Sequence, residues 1–198
     1  MVLMTIEPQE FRFNSGRLSL DLPATIRRRA STPQDVLATS GAPARWLRDA
    51  FLTQGLLVLS SPEERELLAL RDTIWNLADA AAGQRPLPEE AVAHLNKVAS
   101  HALAVPQLDA ASGRTRLIAD DPFRTALATV ARDAVELLGG PQKAKIKACA
   151  QTDCRMLFVD ASRSSRRRWC SMDRCGSRAK GETFRQRHAG GAHEHSGA

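Results

Sequence analysis

Tyrosine is absent from the 198 residues, and the aromatic complement is only three Trp and six Phe. That scarcity argues against a large aromatic-lined groove for sugars or stacked bases. No apolar run approaches the ~20 residues needed to span a bilayer. The apolar stretch near the start is interrupted by Glu7, Glu10 and Arg12. Neither a membrane span nor a secretory signal peptide is therefore expected, and the expected location is cytoplasmic. No glycine-rich phosphate loop and no nucleophile-plus-base motif occurs, so the chain is not expected to be an enzyme. Cysteine is equally sparse: four residues, all between positions 149 and 175.

What is present suits a folded protein. Hydrophobic residues make up 43% and charged residues 25%, which excludes wholesale disorder. The net charge of +6 is unevenly placed. Lys143–His188 holds thirteen Lys and Arg against four acids, a net of +9, so the remainder is −3. An acidic body with a basic end points to a polyanionic partner for that end, the alternative being a solvated charged face.

The cysteines form two pairs of the same spacing, Cys149-x4-Cys154 and Cys170-x4-Cys175, with fifteen residues between them. Four thiolates in two close pairs make a tetrahedral Zn²⁺ set, and such a set is structural because it leaves no position open for water. Two disulfides would need an oxidising compartment. Isolated core cysteines would scatter along the chain. His188, His193 and His195 are competing ligands, but the four cysteines already suffice.

The fold class expected is α+β, mainly helical. Residues 1–140 form a helical domain with short β-hairpins, 141–190 a small treble-clef-like zinc module, and 191–198 a flexible tail. Phe11–Leu22 alternates around Asn14-Ser15-Gly16 and reads as a hairpin, with a helix from Leu18 as the alternative. Thr32-Pro33-Gln34-Asp35 reads as a helix start, and Ala44–Leu57 as a further helix. Ser61, Pro62 and Glu64 read as a capping box opening a helix whose stripe is Leu67, Leu70, Ile74, Leu77 and Ala81, ended by Gly83. Pro88-Glu89-Glu90 starts another, with Ala91, Leu95 and Val98 on one face. Ala102–Leu108 and Arg114–Ile118 form a hairpin. Asp121-Pro122 caps a helix with Phe123, Leu127, Val130, Ala134 and Leu137 inward, stopped at Gly139-Gly140-Pro141. These stripes owe nothing to zinc. In the module, Lys145–Cys149 and Met156–Val159 are paired strands, Arg163–Arg168 is a basic loop, and a helix starts near Ser171-Met172-Asp173.

The run Cys149-x4-Cys154…Arg168-Trp169-Cys170-x4-Cys175-Gly176-Ser177-Arg178 resembles the CGNR zinc finger, with Ser177 in place of that family's Asn. Upstream, Phe11-x-Phe13-x-x-Gly16-x-Leu18-x-Leu20-Asp21, Ala69-Leu70-Arg71, Gly83…Leu87-Pro88 and Leu95-Asn96 resemble the ABATE domain that precedes this finger. The family's Asn-Thr is Ala24-Thr25 here. The resemblance implies a bacterial stress-induced transcription regulator whose finger binds DNA. On that reading Arg163, Arg166, Arg167, Arg168, Arg174, Arg178, Lys180, Arg185 and Arg187 meet nucleic acid. Arg166, Arg167 and Arg168 hold phosphates, while Arg174, Arg178 and Arg185 share a helix face. Arg178 has a structural alternative, bonding a cysteine sulfur. Asp21, Arg71 and Asn96 form a candidate effector pocket, the alternative being structural pairing. The other readings are a zinc-stapled adaptor module and an RNA-binding protein, in which Trp169 and Phe184 stack on bases rather than serve as core. A homodimer is left open.

Overall fold

The computed structural model describes residues 11–189. The first ten residues, the tail at 191–198, and His193 and His195 lie outside them. Six helices and three two-stranded antiparallel sheets are joined by short 3-10 turns among the described residues.

The entry segment takes the alternative reading, a helix opening at Leu18, and not the hairpin: α1 is Leu18–Asp21, followed by a 3-10 turn at Pro23–Thr25. The backbone N–H of Ser19 donates to Asp133 Oδ2 at 2.8 Å, satisfying a helix-start donor that a hairpin would leave open. The helix expected at Thr32 is also absent. Gln34–Asp35 is instead strand β2, paired with β1 (Ile26–Arg27). The Asp35 carboxylate, which would have favoured a helix N-terminus, accepts Arg71 Nη1 at 2.8 Å and the N–H of Leu37 at 2.9 Å. Helix α2 (Ala42–Asp49) is shorter than the pattern suggests. It ends where Phe51 takes φ 58 and turns outward, 95% exposed.

Helix α3 (Ser61–Ala82) carries the expected stripe, and Leu67, Leu70, Ile74, Leu77 and Ala81 are all buried. Its capping box sits one residue earlier than read from sequence. Ser60 is the N-cap, and Glu63 Oε2 accepts the Ser60 N–H at 2.7 Å. Helices α4 (Glu89–Ala99) and α5 (Pro122–Gly139) pack beside it, and α5 is capped by Asp121 accepting from the Arg124 N–H at 3.0 Å. Between them β3 (Val105–Leu108) and β4 (Thr115–Ile118) form the predicted hairpin, exposed on both faces. Trp46, fully buried, anchors the centre with Leu20, Leu22 and Leu47.

After Gly140, β5 (Ile146–Ala148) pairs with β6 (Leu157–Val159). This hairpin divides two apolar clusters. Leu157 and Val159 face the helical core together with Ile146, while Phe158 and Met156 face the cysteines. That is the period of two of a strand covered on both sides. Gly16 fits against it: at φ +86, a Cβ there would stand 3.3 Å from the Val159 carbonyl oxygen. The Val159 N–H in turn donates to the Ser15 carbonyl at 2.8 Å. The helical stripes are thus not independent of the zinc module, whose hairpin supplies part of their core. One π-helical turn, Met172–Gly176, leads into α6 (Ser177–Ala189).

Candidate metal centre and its basic surroundings

Two short bends bring the cysteines together. Cys149 follows β5, and its N–H donates to the Met156 carbonyl at 2.8 Å. The Cys154 N–H closes the first turn onto the Gln151 carbonyl at 3.0 Å. Cys170 donates its N–H towards Cys149 Sγ at 3.5 Å. Cys175 lies in the π-helical turn, which Ser177 Oγ fastens by donating to the Met172 carbonyl at 3.1 Å. Ser177 therefore fills a local structural role at the position where the family motif has Asn.

All four side chains are buried, none is disulfide-bonded, and the sulfurs lie within 4.8 Å of one another. Two of the separations are 3.7 Å (Cys154–Cys170) and 3.5 Å (Cys170–Cys175). A tetrahedron of sulfurs at ~2.3 Å from Zn²⁺ has edges of about 3.8 Å, so the set fits the ion. The cluster holds one structural zinc. No histidine joins the four cysteines among the described residues; His188 is exposed and its ring packs tilted against Phe184, centroids 4.2 Å apart. Hydrogen bonding with Cys154 and Cys170 holds Cys149 down to about 2, and the bond with Cys149 pushes Cys154 up to about 12. Divalent zinc supplies the charge that lets all four serve as thiolates.

The arginines around the centre divide into inward and outward groups. Arg167 turns in: its Nε donates to the Trp169 carbonyl at 2.9 Å, its Nη2 to the Cys170 carbonyl, and its guanidinium lies 4.5 Å over Phe158. Arg178 is also engaged, donating to Cys175 Sγ at 3.4 Å and to Asp153 Oδ2 at 2.8 Å. Both bonds raise its pKa, the sulfur contact most. Arg163, Arg166 and Arg168 remain exposed on the loop, Arg168 lying 5.3 Å over Trp169. Buried Asp160 braces that loop, accepting Lys147 Nζ at 2.7 Å, Ser162 Oγ at 2.6 Å and the Arg167 N–H at 3.0 Å. These bonds, the lysine's foremost, hold its carboxyl well below the usual range. Arg174, Lys180, Arg185 and Arg187 are exposed along the π turn and α6. Trp169 packs on the cysteine cluster, whereas Phe184, read as core, is 64% exposed.

Asp21, Arg71 and Asn96 are not brought together. Buried Asp21 accepts the Ser15 N–H at 2.9 Å. Buried Arg71 grips Asp35 through both carboxylate oxygens at 2.8 Å. Asn96 is exposed on α4. The cavity beside Asp21 is lined by Phe13, Arg17, Leu18 and Phe51 among others and reaches neither Arg71 nor Asn96. Burial raises the Asp21 pKa to about 6, against an ordinary 3.8. A folded-state value above the unfolded one means stability is greatest below 3.8 and is lost as pH rises through 6. Asp21→Asn, which keeps an acceptor for Ser15, is expected to remove that loss, worth up to about 3 kcal/mol by pH ~7. Denaturant titrations of both proteins across this pH range check it, and an unchanged pH profile would refute it.

Sequence reasoning missed a contribution from the other end of the chain. Arg12, Arg27 and Arg28 line a cleft of about 620 Å³ together with Arg174, Arg178 and Arg185 of the finger. The signal available is the run Arg27-Arg28-Arg29, which the negative net charge of the chain outside Lys143–His188 masks. Salt bridges tie the two parts of the chain, Arg28 to Asp153 at 3.3 Å and Arg155 to Asp79 at 2.8 Å.

A helical body closed by a four-cysteine zinc finger defines the class. The model of the ABATE family, described as "Putative stress-induced transcription regulator", matches residues 16–141, and that of the CGNR zinc finger matches residues 145–188. The chain belongs to the ABATE family and carries a CGNR zinc finger after that domain. Comparison with curated proteins finds no match. No helix among the described residues is long and apolar enough to cross a membrane.

Proposed function

We propose that the protein is a non-catalytic transcription regulator whose zinc-folded finger grips duplex DNA. The observation that carries this is the braced loop. Asp160 and Lys147 fix its backbone so that Arg163, Arg166 and Arg168 all stand in solvent. Loop guanidiniums of this kind hold phosphates and set register, while Arg174 and Arg185 are placed for base edges if α6 enters the major groove. Replacing Arg163, Arg166 and Arg168 together by Gln should weaken all duplex sequences alike. It should also reduce the log–log salt slope by up to about 2.7, at roughly 0.9 per phosphate. Arg167→Ala should act differently, lowering thermal stability, because its guanidinium closes the metal loop. Absence of duplex binding at ~50 mM salt would sink the proposal, since phosphate contacts are strong there.

A protein-interaction role is the second reading. The β3–β4 hairpin favours it, with Val105, Leu108 and Leu117 each more than half exposed. It predicts a protein partner retained at high salt and no duplex preference.

A further inference from the structure

The cleft between the helical body and the finger gathers more positive charge than the molecule satisfies. Six arginines line it against two acids, Asp173 and Glu182. Glu182 is held by the Gln151 amide at 2.9 Å. Arg28 and Arg178 are paired with Asp153 at 3.3 and 2.8 Å. Arg12, Arg174 and Arg185 have no ion pair among the described residues, and the Nε of Arg12 is buried without a hydrogen-bond partner. Burial and the neighbouring charges of Arg27 and Arg174 both work against the Arg12 charge. The cleft also has an apolar side, formed by Ala24, Ile26 and Met156. Its volume lies in the range of small-molecule sites.

We propose that this cleft binds a small organic phosphate, the phosphate held by Arg12, Arg174 and Arg185 and the body laid on Ala24, Ile26 and Met156. A phosphate monoester carries about −1.5 to −2 charge near neutral pH and offers three acceptor oxygens, which matches several guanidiniums lining one cleft. Because Arg12 comes from the helical body and Arg174 and Arg185 from the finger, the bound phosphate bridges the two. The site uses Arg174 and Arg185, which the DNA-binding reading places at base edges, so AMP and a duplex are expected to compete for them; AMP binding itself does not require that reading. A phosphate could also come from a nucleic-acid backbone, so the test separates the two sources.

The test is calorimetric titration of the intact zinc-loaded chain with AMP, with adenosine, and with a short duplex in separate runs. AMP should bind at one site per chain and adenosine should not. Arg12→Gln and Arg174→Gln should each weaken AMP about tenfold or more, as loss of a charged hydrogen bond implies. Arg166→Gln, outside the cleft, should leave AMP binding unchanged, and thermal midpoints would verify that each variant is folded. The proposal is overturned if AMP does not bind. It is also overturned if Arg166→Gln weakens AMP as much as Arg12→Gln does, which would mean nonspecific charge screening. Loss of duplex binding in Arg12→Gln with no AMP binding in the parent would assign the cleft to backbone phosphate and equally reject a small ligand.

Discussion

Stripping zinc from the intact chain is expected to lower the stability of the whole protein, not only of its last fifty residues. Structural zinc contributes about 10–16 kcal/mol of apparent binding energy in isolated finger peptides, and that energy folds the cysteine loops. Here the same loops hold the β5–β6 hairpin, whose Ile146, Leu157 and Val159 are each at most 4% exposed within the helical core. Withdrawing three such side chains costs about 1.5–3 kcal/mol apiece, against a total stability of ~5–15 kcal/mol for an ordinary domain. Far-UV circular dichroism with and without chelator should show a partial loss of helix at ambient temperature. The remaining helix should melt at a clearly lower midpoint. Cys154→Ser should mimic the chelator. An unchanged midpoint for the upstream helices would show that the hairpin keeps its place without metal and would contradict this account.

A second large effect is expected at Asp35→Ala. The Arg71 guanidinium is buried on α3 and its main counter-charge is Asp35, with Asp72 3.3 Å from Nε on the solvent side. Removing one partner of a buried pair leaves an uncompensated charge, which costs about 3–5 kcal/mol. The lower end applies here because Asp72 remains and Asp35 is partly exposed. The N–H of Leu37 also loses its acceptor. The double substitution Asp35→Ala with Arg71→Met should recover much of the loss, since it removes the stranded charge and keeps an apolar stem in place. Urea titrations of the single and double variants measure this. Equal destabilisation in both would mean that the β1–β2 turn, not the charge, is what Asp35 supports.

These cases show what could be read from residues and what could not. The α3 and α5 stripes were legible because a period near 3.6 sustained over several turns has one packing solution. The metal ligands were legible because spacing and thiol chemistry leave few alternatives. The Asp35 segment was misread because Thr32-Pro33-Gln34-Asp35 is locally a good helix start, and only the distant Arg71 overrides it. The hairpin expected at Phe11–Leu22 failed for a similar reason, since Asp133 on α5 stabilises a helical turn there. The one-residue offset of the capping box reflects two adjacent serines, Ser60 and Ser61, either of which could cap. In the basic segment, composition gave the charge but not its direction. Arg167 and Arg168 are neighbours, yet one closes the metal loop and the other faces solvent. The run Arg27-Arg28-Arg29 was a local signal of charge, but that Arg27 and Arg28 join Arg12 and the finger's arginines in one cleft is a product of tertiary folding.

The two-faced β6 strand also bears on how such proteins can be recombined. A finger joined to its neighbour only by a linker could be exchanged between chains as a cassette. This one cannot, because Leu157 and Val159 complete one interior while Phe158 completes another. A graft onto a foreign helical body would have to match both faces at once, and a one-residue shift in the splice would present Phe158 to the wrong side. The body and the finger are therefore expected to be inherited together, with compensating changes across the strand and not at the junction near Gly140.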